Sequence, residues 1–160
     1  MDLPDDDPAY VKAMLDGLYS ANYNRVNTVN GVVVDVLSFH ASVYAVAEKY
    51  DVEAVKLLAI EYFNDELESY FVDTGYNDWE FVDRGDKAID KIASAIGIVY
   101  GTTPSSDRGL RDRILRYACC CAKDLVKYKP FKDLLDGPDE CEAFGADLAR
   151  GLLWDAPKSD

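Results

Sequence analysis

The chain is expected to be all-α, a single helical domain of about six or seven helices. Two observations lead there. Apolar residues recur at i, i+3, i+4 and i+7 through most of the 160 residues. Hydrophobic residues make up 49% of the chain, with Tyr the commonest aromatic, which is enough to fill a core. Only Val32-Val33-Val34 competes as a strand, and it reads equally as the lead-in to a helix.

Asp7 is a plausible N-cap for the first helix, and Pro8 sits where its missing N–H costs nothing. Val11, Met14, Leu15, Leu18 and Tyr19 follow as one stripe. Ser20 to Gly31 is Asn-rich and aperiodic, so it reads as a loop. A second helix runs from about Val36 to Tyr50, with Phe39, Val43, Val46 and Tyr50 on one face and His40, Tyr44 and Ala47 beside them. A helix apolar over most of its girth belongs in a central position. After a break at Asp51, the third helix carries Val55, Leu58, Ala59, Tyr62, Phe63, Leu67, Tyr70 and Phe71, leaving Glu61, Asp65, Glu66 and Glu68 to water.

Asp73 to Tyr76 reads as a turn. Asn77 followed by Glu80 then resembles a capping pair that opens a helical stretch through Phe81 and Val82. With a kink at Gly85, that stretch leads into Ile89, Ile92, Ala93, Ile96, Val99 and Tyr100, and it ends before Pro104. Ser106 or Asp107 caps the next helix, whose stripe is Leu110, Ile114, Tyr117, Ala118, Cys121 and Leu125. Lys129-Pro130 starts a short turn of helix with Phe131, Leu134 and Leu135. Gly137-Pro138 opens the last helix, with Cys141, Phe144, Leu148, Ala149 and Leu152 inward, and a polar tail follows Trp154.

Thirty acidic and 17 basic side chains give a formal net charge of -13. That balance repels polyanions, so nucleic acid and anionic membrane surfaces are poor partners. Cys119, Cys120 and Cys121 are consecutive and Cys141 stands apart, which fits neither a spaced disulfide framework nor a paired zinc-ligand motif. The first residues lack a basic segment and an apolar core, and no apolar run is long enough for a bilayer. A cytoplasmic or nuclear protein in a reducing compartment is the expectation.

Three blocks resemble fungal BTB/POZ proteins. The first is Asp6-Asp7-Pro8 with Val11, Met14-Leu15, Leu18-Tyr19 and Tyr23. The second is His40-Ala41, Val43-Tyr44-Ala45, Ala47 and Lys49-Tyr50-Asp51. The third is Val99-Tyr100, Thr103-Pro104, Asp107-Arg108 and Leu110-Arg111-Asp112. They fall in the family's order over roughly residues 5 to 116. The resemblance implies partial BTB-like helices over 1–50, and a BACK-like helical extension over 51–160 packed on the same core. The sheet and helices that precede these blocks in the family, which carry most of its dimer surface and much of its cullin contact, have no counterpart here.

The chemistry-bearing residues favour no active site. His40 is the only histidine, so a two-His metal site is impossible, and it reads as a buried structural imidazole. Adjacent helical cysteines point about 100° apart and cannot converge on one ion. Asp83, Asp86 and Asp90, like Glu61, Asp65 and Glu68, read as solvated faces, and Asp5-Asp6-Asp7 as a complement to the helix dipole. Thr103-Pro104 is either helix punctuation or a substrate for a proline-directed kinase. The basic cluster Arg108, Arg111, Arg113 and Arg116 either pairs with the acidic faces or receives an acidic peptide.

The expectation is therefore a non-catalytic protein–protein interaction module, an adaptor or scaffold with no cofactor and no metal. Its partner is a protein: a second copy or, as the resemblance implies, a cullin-type ubiquitin-ligase scaffold. The partner-binding residues are Val11, Met14, Leu15, Leu18, Tyr19, Arg108 and Arg111. Burying one large aliphatic side chain contributes ~1.5–3 kcal/mol, so the α-helical stripe from Val11 to Tyr19 must either fold back on the later helices or meet another molecule. The alternative is a secreted fungal effector using the same fold on a host protein, for which Cys121 and Cys141 would be the pair to test for a bridge.

Overall fold

Asp7 opens the first helix as its sequence requires. Its backbone is extended and its carboxylate accepts the Ala9 N–H at 2.9 Å, ahead of α1 (Pro8–Ser20). The computed structural model describes residues 6–24, 28–29, 31–75, 78–81, 86–137 and 142–154. Among them, seven helices and two short antiparallel hairpins make the chain all-α in character. The chain divides into two compact units, Met1–Leu67 and Glu68–Asp160. None of the described helices is long and apolar enough to cross a membrane.

In the first unit, α1 stops at Ala21, which adopts the left-handed conformation (φ 51°). Strand β1 (Thr28–Val29) pairs with β2 (Val32–Val33) around Gly31 (φ 79°), so the valine run is a strand, although a very short one. Asp35 accepts the Ser38 N–H at 2.8 Å and so caps α2 (Val36–Lys49). Asp51, at φ 55°, breaks the chain before α3 (Glu53–Glu68). The expected central position of α2 holds within this unit: Leu37, Phe39, His40, Val43, Tyr44 and Ala47 are all buried. From α3 come Val55, Ala59, Tyr62, Phe63 and Leu67, and from α1 Val11 and Met14. Gly17 lets α1 lie close on α3, since a Cβ there would stand 3.3 Å from Val55 Cγ2 and 3.5 Å from Leu58 Cδ2.

The second unit departs from expectation at its start. The helix foreseen from Asn77 is a hairpin instead: β3 (Phe71–Gly75) pairs with β4 (Asp78–Phe81), register Phe71↔Phe81, with an irregularity between Asp73 and Gly75. Asn77 itself lies outside the described residues, as do Val82 and the kink foreseen at Gly85. The physical reason is that Phe71, Val72, Trp79 and Phe81 are strong strand formers in two segments close enough in the chain to pair. Tyr70 and Phe71, foreseen on the α3 stripe, are buried but lie beyond the helix, and the Phe71 ring stacks on Tyr117 at 4.7 Å.

Four helices complete this unit: α4 (Asp86–Thr102), α5 (Gly109–Leu125), α6 (Lys129–Leu135) and α7 (Glu142–Trp154). The N-cap of α5 is Arg108 and not the expected Ser106 or Asp107; Asp107, one residue earlier, accepts the Gly109 N–H at 3.0 Å. Helix α4 packs on α6, and α5 packs on α7. Phe144 is fully buried, edge-on to Tyr100 at 5.3 Å and to Phe131 at 6.0 Å. Ala149 and Leu152, expected inward on α7, are exposed. The inward face instead reads Phe144, Asp147 and Leu148, because Asp147 is drawn inside by groups described below. Where α7 meets α5, Gly151 faces Cys119: a Cβ at 151 would lie 2.5 Å from the Cys119 Sγ.

Phe144→Ala should lower the unfolding free energy by about 3–5 kcal/mol, the usual cost of emptying an aromatic core site. Urea unfolding would register it as a lower midpoint at unchanged slope.

Candidate protein-interaction surface

Several residues that read as candidate chemistry are fastenings. In the first unit, Asp6 Oδ2 accepts from Lys49 Nζ at 2.8 Å and from the Tyr50 hydroxyl at 2.6 Å. Those hydrogen bonds hold the Asp6 carboxyl below the usual range, and they tie the entry of α1 to the end of α2. His40 is buried, its Nδ1 2.9 Å from the Tyr23 hydroxyl, within a ring cluster that includes Phe39 and Tyr62. It is the structural imidazole the sequence suggested.

The second unit is fastened by a buried carboxylate. Asp147 accepts from the Tyr100 hydroxyl at 3.1 Å, Arg108 Nη1 at 2.7 Å and Arg150 Nη1 at 2.9 Å. Burial alone would raise its pKa, but the bonds from Arg108 and Tyr100 and the field of Arg150 outweigh it and leave the group below its ordinary value. Tyr100 moves the other way, raised by burial and by Asp147. Arg108 also reaches Asp112 at 2.6 Å, and its pKa is raised by the bonds to Asp147 and Asp112.

Arg111 corrects the expectation of a basic partner site. Arg111 is only 4% exposed. Its guanidinium donates to Thr103 Oγ1 at 3.1 Å, to the Thr103 carbonyl and to the Tyr100 carbonyl at 3.2 Å, and it lies 4.5 Å from the Tyr100 ring centroid. Arg108 is committed to two carboxylates. Arg111 is thereby not left for an acidic peptide, because it satisfies buried acceptors of its own fold, while Arg108 pairs with the acidic groups beside it, the first of the two readings given for the cluster. Thr103 is buried, its hydroxyl donating to the Val99 carbonyl at 2.6 Å, so a kinase cannot reach it in the folded chain.

The remaining candidates do not assemble. Cys121 is buried, Cys119 half-buried and Cys120 exposed; Cys141 lies outside the described residues, and with it the pair that the secreted alternative would test. Asp5 and Asp83 also lie outside them, while Asp90, Glu61, Asp65 and Glu68 are exposed. Among the described residues no group of His, Cys, Asp and Glu is placed to hold a metal ion. Glu68 accepts from the Tyr117 hydroxyl at 3.3 Å, and burial together with Glu68 pushes that phenol up to about 12.

The α1 stripe divides. Val11 and Met14 are buried within the first unit, whereas Leu15 is 41%, Leu18 47% and Tyr19 84% exposed. Leu18 forms one wall of a surface groove of about 300 Å³ between α1 and α3, lined also by Gly17, Ala21, Ala54, Leu57, Leu58 and Glu61. A roomier depression of about 590 Å³ beside it is lined by Asp16, Ser20, Asn22, Tyr23 and Asn24. That one is polar and wide open, so covering it would release little apolar surface; the leucine groove is the stronger contact site. Leu57, 58% exposed, was not foreseen. The signal for it is a leucine out of phase with the Val55, Leu58, Ala59, Tyr62 stripe, and therefore set on the wet side of α3.

Met14→Ala should cost about 2–5 kcal/mol of stability, while Tyr19→Ser should stay within about 0.5 kcal/mol, as chemical denaturation would measure. Asp147 contributes stability that is fully present above its ordinary value of 3.8 and is lost as pH falls below it toward the depressed folded value. Asp147→Asn should weaken the protein at neutral pH and flatten that acid limb in urea titrations between pH 3 and 7.

Comparison of the chain with protein-family models, curated proteins and solved structures returns no match.

Proposed function

We propose that the chain is a non-catalytic protein–protein interaction module, resembling the helical half of a fungal BTB/POZ protein and acting as an adaptor or scaffold in the cytoplasm or nucleus. One observation carries the reading: Leu18 and Leu57 stand in water along an apolar groove on a folded, acidic unit, with Leu15 exposed on the same helix as Leu18. Leaving such side chains wet has a cost of ~1.5–3 kcal/mol each when fully exposed, and a partner that covers them recovers part of it.

Two further observations support it. Among the described residues, the carboxyls and phenols with shifted pKa values move away from neutrality, Asp6 and Asp147 downward and Tyr100 and Tyr117 upward, which is the direction structural pairing gives rather than the tuning of a general acid or base. The BTB-like blocks are also physically coupled: Asp6 of the first holds Lys49 and Tyr50 of the second, and Tyr23 of the first meets His40 of the second. A pattern whose members serve each other's packing is what a shared helical scaffold requires. Candidate partners are a second copy and a cullin-type ubiquitin-ligase scaffold.

Affinity capture from a fungal extract, read by mass spectrometry, tests the reading. The expected result is a discrete partner retained by the wild type and lost from a Leu18→Asp/Leu57→Asp variant whose circular dichroism is unchanged. An identical capture profile for both proteins would overturn it.

A further inference from the structure

Resting on the reading of this unit as an interaction module, we infer that the α1–α3 groove receives an amphipathic α-helix of a partner protein, with leucine-like side chains on its buried face and a lysine or arginine at its edge. The groove is lined by the small residues Gly17, Ala21 and Ala54 and by the leucines Leu18, Leu57 and Leu58. Small residues between leucines leave room for large apolar side chains of an arriving surface. Both walls are helices rather than the edge of a sheet, so the groove offers no ladder to an extended peptide. A strand laid there would bury its own N–H and C=O groups without partners. A helix brings its backbone already satisfied, so only its side chains need accommodation.

Charge selects the kind of helix. Among the described residues, Glu61 is the one ionisable group lining the groove; it is exposed and makes no ion pair with them. Covering the groove would strip water from this carboxylate, which is unfavourable unless the arriving surface supplies a cation. The formal net charge of -13 acts in the same direction, steering basic partners in and keeping acidic ones away. A membrane surface rich in anionic lipid is disfavoured by the same field.

A display library of 16-residue helical peptides, randomised on one face, would be selected on the intact protein and counter-selected on Leu57→Asp. The expected winners carry apolar residues at i, i+3, i+4 and i+7 with a flanking Lys or Arg. Their affinity for Glu61→Lys should fall by about fivefold or more, the scale of a rim charge reversed, with weakening as salt rises. Winners that are acidic or neutral, that ignore Glu61→Lys, or that bind Leu57→Asp equally well would overturn the inference, as would a library with no winner. Sedimentation analysis of the protein alone separates the remaining case. A dimer abolished by Leu57→Asp would make a second copy the occupant, overturning the inference while leaving the interaction-module reading intact. Circular dichroism of both variants controls for folding.

Discussion

The orientation of α1 about its own axis governs the first unit. Its apolar residues span a wider arc than one helix-to-core contact can cover, since neighbours on a helix are offset by about 100°. Gly17 resolves which part goes inward. With no side chain there, α1 settles against Val55 and Leu58 with Val11 and Met14 buried, and the rest of the arc turns out. The groove is the geometric remainder of that choice, bounded on one side by Leu18 and on the other by the face of α3 that carries Leu57 and Glu61. Core formation and surface formation are thus one event in this unit.

The second unit solves a different problem, how to pin helix ends without more hydrophobic area. Asp147 gathers a phenol and two guanidiniums from three helical segments, and Arg111 folds over Tyr100 to satisfy carbonyls left open where α4 ends. Such a cluster is worth most when complete, because a single missing member leaves a buried charge or acceptor unanswered. The polar residues that look most like chemistry are therefore the least available for it.

Helix positions and inward residues were largely legible, because caps and periodicity are local. Asp7 and Pro8 mark an end that the structure keeps, and the stripes from Phe39 to Ala47 and from Leu110 to Leu125 point inward as read. The hairpin of Phe71–Phe81 was not legible as such, since its strands are only a few residues long and alternation over that length is easily taken for a capped helix start. The inward turn of Asp147 and Arg111 was hidden for another reason. Nothing local says that a charged residue will find its partners 39 or 8 positions away. The exposed half of the α1 stripe was legible as excess apolar surface, but Leu57 needed α3 to be seen beside it.

The contact between Gly151 and the sulfur of Cys119 has a consequence for how this protein can diverge. Every substitution at 151 adds at least one carbon, and that carbon falls on the sulfur unless the thiol swings aside. A smaller residue at 119 opens the space that a larger one at 151 would take. The two positions should therefore drift together through descent, a matched lock of one atom's width on the seam of two helices.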